Sequence, residues 1–114
     1  MATVALRSEN GSTVCERCLI AETALARMRG LLGRRTLPSG EGILLRPASS
    51  VHMAFMRFAI DVVFLDRDHR VLKIVPNLKP WRAAAARRAH AALELAAGEC
   101  ERRGLRVDDR LVAT

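Results

Sequence analysis

An apolar run over residues 50–66 constrains the fold of this chain more than any other segment. Inside the run lies one carboxylate, Asp61, with apolar residues on both sides of it. An unpaired carboxylate in such surroundings is costly, because the charge loses its hydration without gaining a partner. We therefore expect this carboxylate to be mostly buried and to make a hydrogen bond or an ion pair. Its candidate side-chain partners are Arg57, Arg34 and His52.

The length of 114 residues predicts one domain that spans residues 1–114. No apolar stretch reaches the ~18 residues of a membrane span. The N-terminus also lacks the basic start and apolar block of a secretory signal. We therefore expect a cytoplasmic protein with no membrane partner. The odd count of three cysteines fits that reducing compartment better than it fits a disulfide framework.

The net charge of +7 raises the possibility of a nucleic-acid partner. Among the basic residues only Lys73 and Lys79 are lysines, and alanine is abundant, as expected of a G+C-rich genome. The arginines are scattered along the sequence and form pairs rather than one stripe. We therefore favour a solvated basic surface over a nucleic-acid face and keep the second reading as an alternative.

The first half of the chain predicts a hairpin followed by a helix. Asn10-Gly11 is a strong signal for a two-residue turn between strands at residues 3–6 and 12–17. Apolar residues recur at helical spacing over residues 21–32, and Gly33 is a plausible stop. Glycines and a proline then predict a loop over residues 33–42, followed by a short strand at 43–45.

The middle of the chain predicts a meander of three strands, at residues 51–56, 60–65 and 70–75, with a turn at 66–69. The segment that follows is ambiguous. Its many alanines favour one helix over residues 81–97. The rival interpretation is a loop, a strand at 91–95 and a short helix near residues 100–103.

Three segments, in this order, resemble the family known as domain of unknown function 192. They read GLLGRRTLPSGEGILL, HMAFMRFAIDVVFLD and LELAAGECERRGLRVDDRL. The likeness covers residues 21–112. It implies a mainly β (α+β) domain, built on a small antiparallel or mixed sheet or a barrel, with one or two short helices. It also implies a strand at residues 91–95, which we prefer over the long helix because tertiary context commonly overrides propensity. The resemblance implies no established activity.

Eleven positions of this chain match the family's motif, and two depart from it. At the departures, His69 and Asp108 stand where the family commonly has turn glycines, and Asp109 is the family's aspartate. Histidine tolerates a left-handed backbone better than most residues, so the first turn is expected to survive. The matching positions are Arg29, Gly30, Gly33, Arg34, Met56, Asp61, Phe64, Asp66, Leu93, Glu94 and Gly98.

Cys15 and Cys18 form a C-x-x-C spacing, which is half of a zinc site. Cys100, His52, His69 or His90 would have to complete it. On a strand, a spacing of three points two side chains to opposite faces. We therefore expect two ordinary cysteines, with no metal, no disulfide between them and no cofactor.

The candidate ligand-binding residues are Arg34, His52, Arg57 and Asp61. Two guanidinium groups can bind a carboxylate or a phosphate. His52 with Asp61 could form a general-base pair, but no nucleophile is evident near them. The alternatives are a structural pair of His52 with Asp61 and an ion pair of Arg57 with Asp61.

The apolar side chains of the same segment are expected to lie in the core, namely Met53, Phe55 and Met56. Trp81, the one large aromatic residue, is expected to cover a sheet edge or the mouth of a pocket.

Three classes of function fit these features. The first is a small-ligand or anion-binding module with a polar pocket. The second is a nucleic-acid or ribonucleoprotein accessory protein, which is weakened by a shortage of aromatic residues for stacking. The third is an enzyme of unknown reaction. The sequence contains no signal for an oligomeric state.

Overall fold

The structure, a computed structural model, describes residues 2–23 and 33–113. Within these ranges the chain is mainly β, as the resemblance implies. The elements in chain order are β1 (Ala2–Ser8), β2 (Thr13–Ala21), β3 (Glu41–Leu45), β4 (Ser50–His52), β5 (Ile60–Leu65), β6 (Val71–Leu78), β7 (Ala83–Ala85), β8 (Ala91–Ala96), α1 (Glu99–Arg102) and β9 (Leu111–Ala113).

Seven strands form one mixed sheet in the order β6-β5-β8-β3-β2-β1-β9. The β2–β3 pair is parallel, and the other neighbouring pairs are antiparallel. The sheet curls into a half-barrel. Its two edge strands approach each other where Arg70 and Arg110 form an isolated bridge and the amide of Val71 donates to the carbonyl of Asp109 at 2.8 Å. The curl protects part of both sheet edges.

The inner face of the curled sheet holds one apolar cluster to which all seven strands contribute. Cys100 of α1 and the following Leu105 close the cluster at one end. The contributing strand residues include Leu6, Cys15, Cys18, Leu44, Val63, Val71, Leu93, Leu95 and Leu111.

A second apolar cluster lies on the outer face of the sheet. Two segments cover it, residues 46–59 and 79–90, which we call the covering layer. They carry the short antiparallel pair β4–β7 and place Val51 and Met53 in the cluster. Because the sheet is covered on both faces, every residue of β5 is buried, which explains the nearly continuous apolar run in the sequence.

The predictions for β5, for the first hairpin and for the strand at residues 91–95 are confirmed. The hairpin loop differs from the predicted two-residue turn, because the amide of Ser8 donates to the carbonyl of Ser12 and leaves three residues between them. The helix predicted at residues 100–103 forms one residue earlier, as α1. One continuous helix over residues 81–97 is excluded. In its place, β8 pairs with β5 on one side and β3 on the other, and this pairing outweighs the helical preference of its alanines.

Three boundaries were predicted wrongly. The strand β2 continues to Ala21, so the predicted helix does not begin there, and residues 24–32 lie outside the described residues. The predicted strand at 51–56 is only β4, which pairs with β7 and not with β5 in a meander. The strand β6 continues through Pro76 because it is an edge strand, where a missing backbone donor is tolerated.

The expectation that Cys15 and Cys18 face opposite sides of a strand was also wrong. Val4 pairs with Cys18 but Leu6 pairs with Cys15, so β2 has one extra residue between them. Such a bulge resets the alternation of side chains. Both thiols therefore lie in the inner cluster, and both are free.

The two positions where the family has turn glycines both have a left-handed backbone. His69 has a φ of 63°, which confirms that histidine preserves this turn. Asp108 has a φ of 77°, so the last turn also keeps the geometry that glycine would allow. Aspartate is one of the few residues that adopt this conformation readily.

Replacing Gly42 with alanine is expected to destabilise the fold. A Cβ at this position would lie 2.8 Å from Cδ2 of Leu95, 2.9 Å from the carbonyl oxygen of Glu94 and 3.1 Å from Sγ of Cys15. Since a backbone atom is among them, the sheet itself must shift, and overpacking of this kind costs roughly 1–3 kcal/mol. Urea unfolding of Gly42→Ala would measure the loss. Ser50→Ala, at an exposed strand position, is the control that should unfold like the parent protein.

Candidate functional site

Asp61 is 1% exposed, as the sequence predicts. Its partners are not those predicted, because three backbone amides hold its carboxylate. Oδ1 accepts from the amides of Asn77 at 2.9 Å and Gly98 at 3.1 Å, and Oδ2 accepts from the amide of Cys100 at 3.0 Å. The prediction that Asp61 makes hydrogen bonds is confirmed, but the three predicted side chains are not its partners.

The three amides belong to three irregular places in the chain. Asn77 lies in the bulge of β6, opposite Asp61, with a φ of 51°. Gly98 has a φ of 86° and precedes α1, and Cys100 is in its first turn. These amides have no partner in regular secondary structure, so a single carboxylate satisfies donors that would otherwise be buried unpaired.

The other predicted ligand-binding residues lie apart from this carboxylate network. Nη2 of Arg34 pairs with Oε1 of Glu41 at 3.4 Å. His52 and Arg57 are exposed in the covering layer. Within the described ranges, none of the three forms a hydrogen bond or an ion pair with Asp61. Their role in ligand binding stays a prediction, and Asp61 has a structural role.

Asp61→Asn is expected to lower the free energy of unfolding by roughly 1–3 kcal/mol, because the new amide NH2 would face a backbone donor instead of accepting from it. A loss of this size lowers the Tm by roughly 4–15 °C in a domain of this length. Thermal unfolding followed by circular dichroism would measure the change. Asp68→Asn, at an exposed turn, should change the Tm little. Equal Tm values for the two variants would contradict the role of Asp61.

Glu94 is a second buried carboxylate, 6% exposed, and it lies in β8 between Ile43 of β3 and Val62 of β5. Paired residues on neighbouring strands share a face, so Glu94 lies on the outer face among apolar side chains. Burial raises the pKa of its carboxyl group to about 7. Glu94 therefore titrates near neutral pH.

The stability of the protein should fall as the pH rises from about 4.5 to about 7, because the unfolded chain ionises Glu94 before the folded chain does. The shift of the pKa from 4.5 to about 7 corresponds to about 3 kcal/mol at most. The free energy of unfolding of Glu94→Gln, measured by chemical denaturation at several pH values, should lack this part of the pH dependence. Glu101→Gln, at an exposed position, should retain it.

Glu99, at the start of α1, is buried and fully engaged. Its Oε2 accepts from Oγ of Ser39 at 2.7 Å and from the amide of Gly40 at 2.9 Å, while Arg102 and Arg103 pair with it. Burial acts to raise the pKa of Glu99, but these hydrogen bonds and cations outweigh it and lower the pKa. Glu99 thus ties the loop before β3 to α1.

Most described positions of the family's motif also serve the fold. Phe64 is fully buried, Met56 packs beside the outer cluster, and Asp66 accepts from the amides of Asp68 and Arg70 in the β5–β6 turn. Gly33 has a φ of 83°, and Arg29 and Gly30 lie outside the described residues.

A basic cleft of about 380 Å³ lies at one end of the sheet. It is formed where β2, β3 and β5 end and β8 begins, so four connections meet there. The amide of Ala48, after β3, donates to the carbonyl of His90, just before β8. The amide of His90 donates to the carbonyl of Leu65, the last residue of β5, so these bonds hold the three segments together. The lining residues are Glu22, Arg46, Pro47, Arg67, His69 and His90.

The electrostatics of the basic cleft favour negative charge. Nε of Arg46 lies 3.4 Å from Oε2 of Glu22, which is the one carboxylate among the lining residues. The pKa of His69 is lowered by burial and then by the positive charges of Arg46, His90 and Arg110. An anion in the cleft would offset the repulsion between a protonated His69 and these cations, and would therefore favour the protonated imidazole.

Sequence reasoning missed the basic cleft. Among possible binding roles, His69 and His90 are considered there only as zinc ligands, and Arg46 and Arg67 are not singled out. The four residues come from three connections, with Arg67 and His69 together after β5, Arg46 after β3 and His90 before β8, so only the strand order reveals that they converge. In the part of the chain that the structure describes, no three His, Cys, Asp or Glu side chains are placed to hold a metal ion.

The comparisons with known proteins agree on the fold. A crystal structure from Sinorhizobium meliloti 1021, described as a candidate transcription regulator, matches with a TM-score of 0.88 and 25% sequence identity, over 98% of this chain and 94% of that chain. A protein of unknown function from Novosphingobium aromaticivorans DSM 12444 matches with a TM-score of 0.83 and 24% identity, over 97% of this chain and 84% of that chain.

No curated protein matches the chain. Among the described residues, no helix has the length and apolar character needed to cross a membrane. The model of the family described as "Uncharacterized ACR", domain of unknown function 192, matches residues 5–113. Together with the β-rich half-barrel, this match over nearly the whole length shows that the chain belongs to the domain of unknown function 192 family.

Proposed function

We propose that this protein is a small-anion-binding module and that the basic cleft is its site. The observation that supports it is the convergence of Arg46, Arg67, His69 and His90 on one concavity, against the single carboxylate of Glu22. Ligand pockets combine a concave shape with a few convergent polar groups. This site differs from the one predicted from the sequence, which was centred on Asp61.

The chemistry of the lining residues indicates the class of ligand. Guanidinium groups bind carboxylate and phosphate through paired N–H donors. Protonated imidazoles add further donors. The cleft therefore suits a small molecule with a carboxylate, phosphate or sulfate group. We further propose a cytoplasmic location, which three buried free thiols support. The description of the Sinorhizobium structure as a candidate transcription regulator is consistent with a module that senses such a molecule.

The carbon-bound protons of the imidazoles of His69 and His90 should shift in NMR spectra when the protein is titrated with sulfate. His52, outside the lining residues, is an internal reference for non-specific effects. Arg67→Ala should weaken the response of His69 and His90, because it removes an exposed cation of the cleft. Arg106→Ala, at another exposed arginine, is the matched control.

Binding of sulfate should also strengthen as the pH falls from 8 to 5. Sulfate does not titrate in this range, so a change of affinity reports on the protein. An anion that raises the pKa of His69 by about one unit binds roughly tenfold more tightly to the protonated form. Equal shifts at all three histidines, or an affinity that is unchanged in Arg67→Ala, would contradict the cleft as the site.

A further inference from the structure

The folded chain concentrates its charge in the covering layer. Residues 46–59 and 79–90 contain six of the 19 arginines and lysines and none of the 12 aspartates and glutamates. They therefore carry +6 of the net charge of +7. The rest of the chain is nearly neutral. The basic residues are scattered in the sequence, but those that no acidic residue balances lie together in one layer of the fold.

Most of these cations are available to an external anion. Five of them are exposed. In the ranges that the structure describes, none of the five forms an ion pair, whereas Arg17, Arg34, Arg102, Arg103 and Arg110 are all paired with glutamates. The exposed cations of the covering layer are Arg57, Lys79, Arg82, Arg87 and Arg88.

Two aromatic side chains project from the same layer. Phe55 is 72% exposed and Trp81 is 67% exposed, although Phe55 was expected in the core. Their rings contact each other edge to face, with centroids 4.9 Å apart and planes at 61°. At this exposure, each ring still has a face that is accessible to solvent. Exposed basic residues lie beside them in the sequence, with Arg57 two residues after Phe55 and Arg82 directly after Trp81.

The backbone at both aromatic residues is one that glycine would adopt more easily. Phe55 has a φ of 65° and Trp81 a φ of 68°. Each is the third residue of a turn closed by a hydrogen bond, from the amide of Met56 to the carbonyl of Met53 and from the amide of Arg82 to the carbonyl of Lys79. At this position, a turn with positive φ normally has glycine or asparagine. Large, exposed rings are unusual at such a position, and backbone strain of this kind often marks a functional residue.

We propose that the covering layer binds single-stranded nucleic acid, with bases stacked on Phe55 and Trp81 and phosphates bound by the surrounding arginines. Single strands are recognised by a basic surface together with aromatic rings that stack on any base. Four of the five exposed cations are arginines, whose planar fork suits phosphate oxygens. A membrane surface fits less well, because among the described residues Val107 is the only other large apolar side chain that is exposed, so little apolar area is available for insertion.

Quenching of tryptophan fluorescence tests this proposal directly, because Trp81 is the only tryptophan in the chain. A twelve-nucleotide deoxyadenosine strand should quench the emission on titration and bind more tightly than its duplex with deoxythymidine. A surface that uses charge alone would bind the duplex at least as tightly, since the duplex has the denser charge. Equal or tighter binding of the duplex would overturn the proposal.

The glycine variants separate binding from folding. Trp81→Gly and Phe55→Gly suit the local backbone, so the Tm should stay at or above that of the parent. Affinity for the single strand, measured by anisotropy of a labelled strand, should fall roughly 5- to 150-fold for each variant. Val107 is also a large apolar residue with an exposed side chain, 51% exposed, and Val107→Ala serves as the control that should lose no affinity. A full affinity in Trp81→Gly would refute stacking.

Salt dependence tests the cations. For single strands, the slope of log affinity against log salt is about −0.7 for each phosphate neutralised. Arg82→Gln and Arg57→Gln should each reduce the slope by about that amount, whereas Arg106→Gln, outside the layer, should not. Arg67→Ala, which is expected to weaken sulfate binding in the basic cleft, should leave strand binding intact. The two proposals can therefore fail independently.

Two alternative occupants would give distinct results. Vesicles with one quarter phosphatidylserine would shift the emission of Trp81 to shorter wavelength if the layer bound membranes. Polyglutamate would compete as well as the oligonucleotide if any polyanion sufficed. Either result, together with no preference for single strands, would overturn nucleic-acid binding.

Discussion

The fold depends on one carboxylate held by backbone amides. Asp61 lies in the most buried strand of the sheet, where an uncompensated charge would be intolerable. It meets the amides of a bulge, a left-handed glycine and a helix start, and each of those places is irregular. The curled sheet and its closing helix are thus joined at a polar point inside an apolar core. Glu99, next to Cys100, extends this junction to the loop before β3.

The sequence pattern predicted the features that depend on residues close together in the chain. The alternation and the Asn10-Gly11 turn predicted the first hairpin, and the apolar run predicted β5 and the burial of Asp61. The partners of Asp61 were not predictable in this way, because any residue supplies a backbone amide and the sequence does not distinguish them. The β2 bulge, which places Cys15 and Cys18 on one face, is likewise invisible in the spacing of the cysteines.

The candidate binding surfaces were beyond sequence reasoning for a different reason. The basic residues of the cleft come from three connections, and the order of the strands brings these connections together. The resemblance to the family rests mainly on positions that build turns, the core and the junction at Asp61. Arg46, Arg67, His90, Phe55 and Trp81 are not among the eleven matching positions, and His69 departs from the family at its own position. Membership of the family therefore carries the fold to this chain but carries no ligand with it.

The burial of all three cysteines separates their thiols from reagents in solution. Cys15, Cys18 and Cys100 lie within or against the inner cluster, and burial beside Asp61 raises the pKa of Cys100 to about 12. Because all three side chains are buried, reagents can reach them only when the half-barrel opens. The rate of thiol modification in native buffer therefore measures how often the half-barrel opens. A cysteine introduced at an exposed position such as Ser50 would be labelled long before the three natural ones.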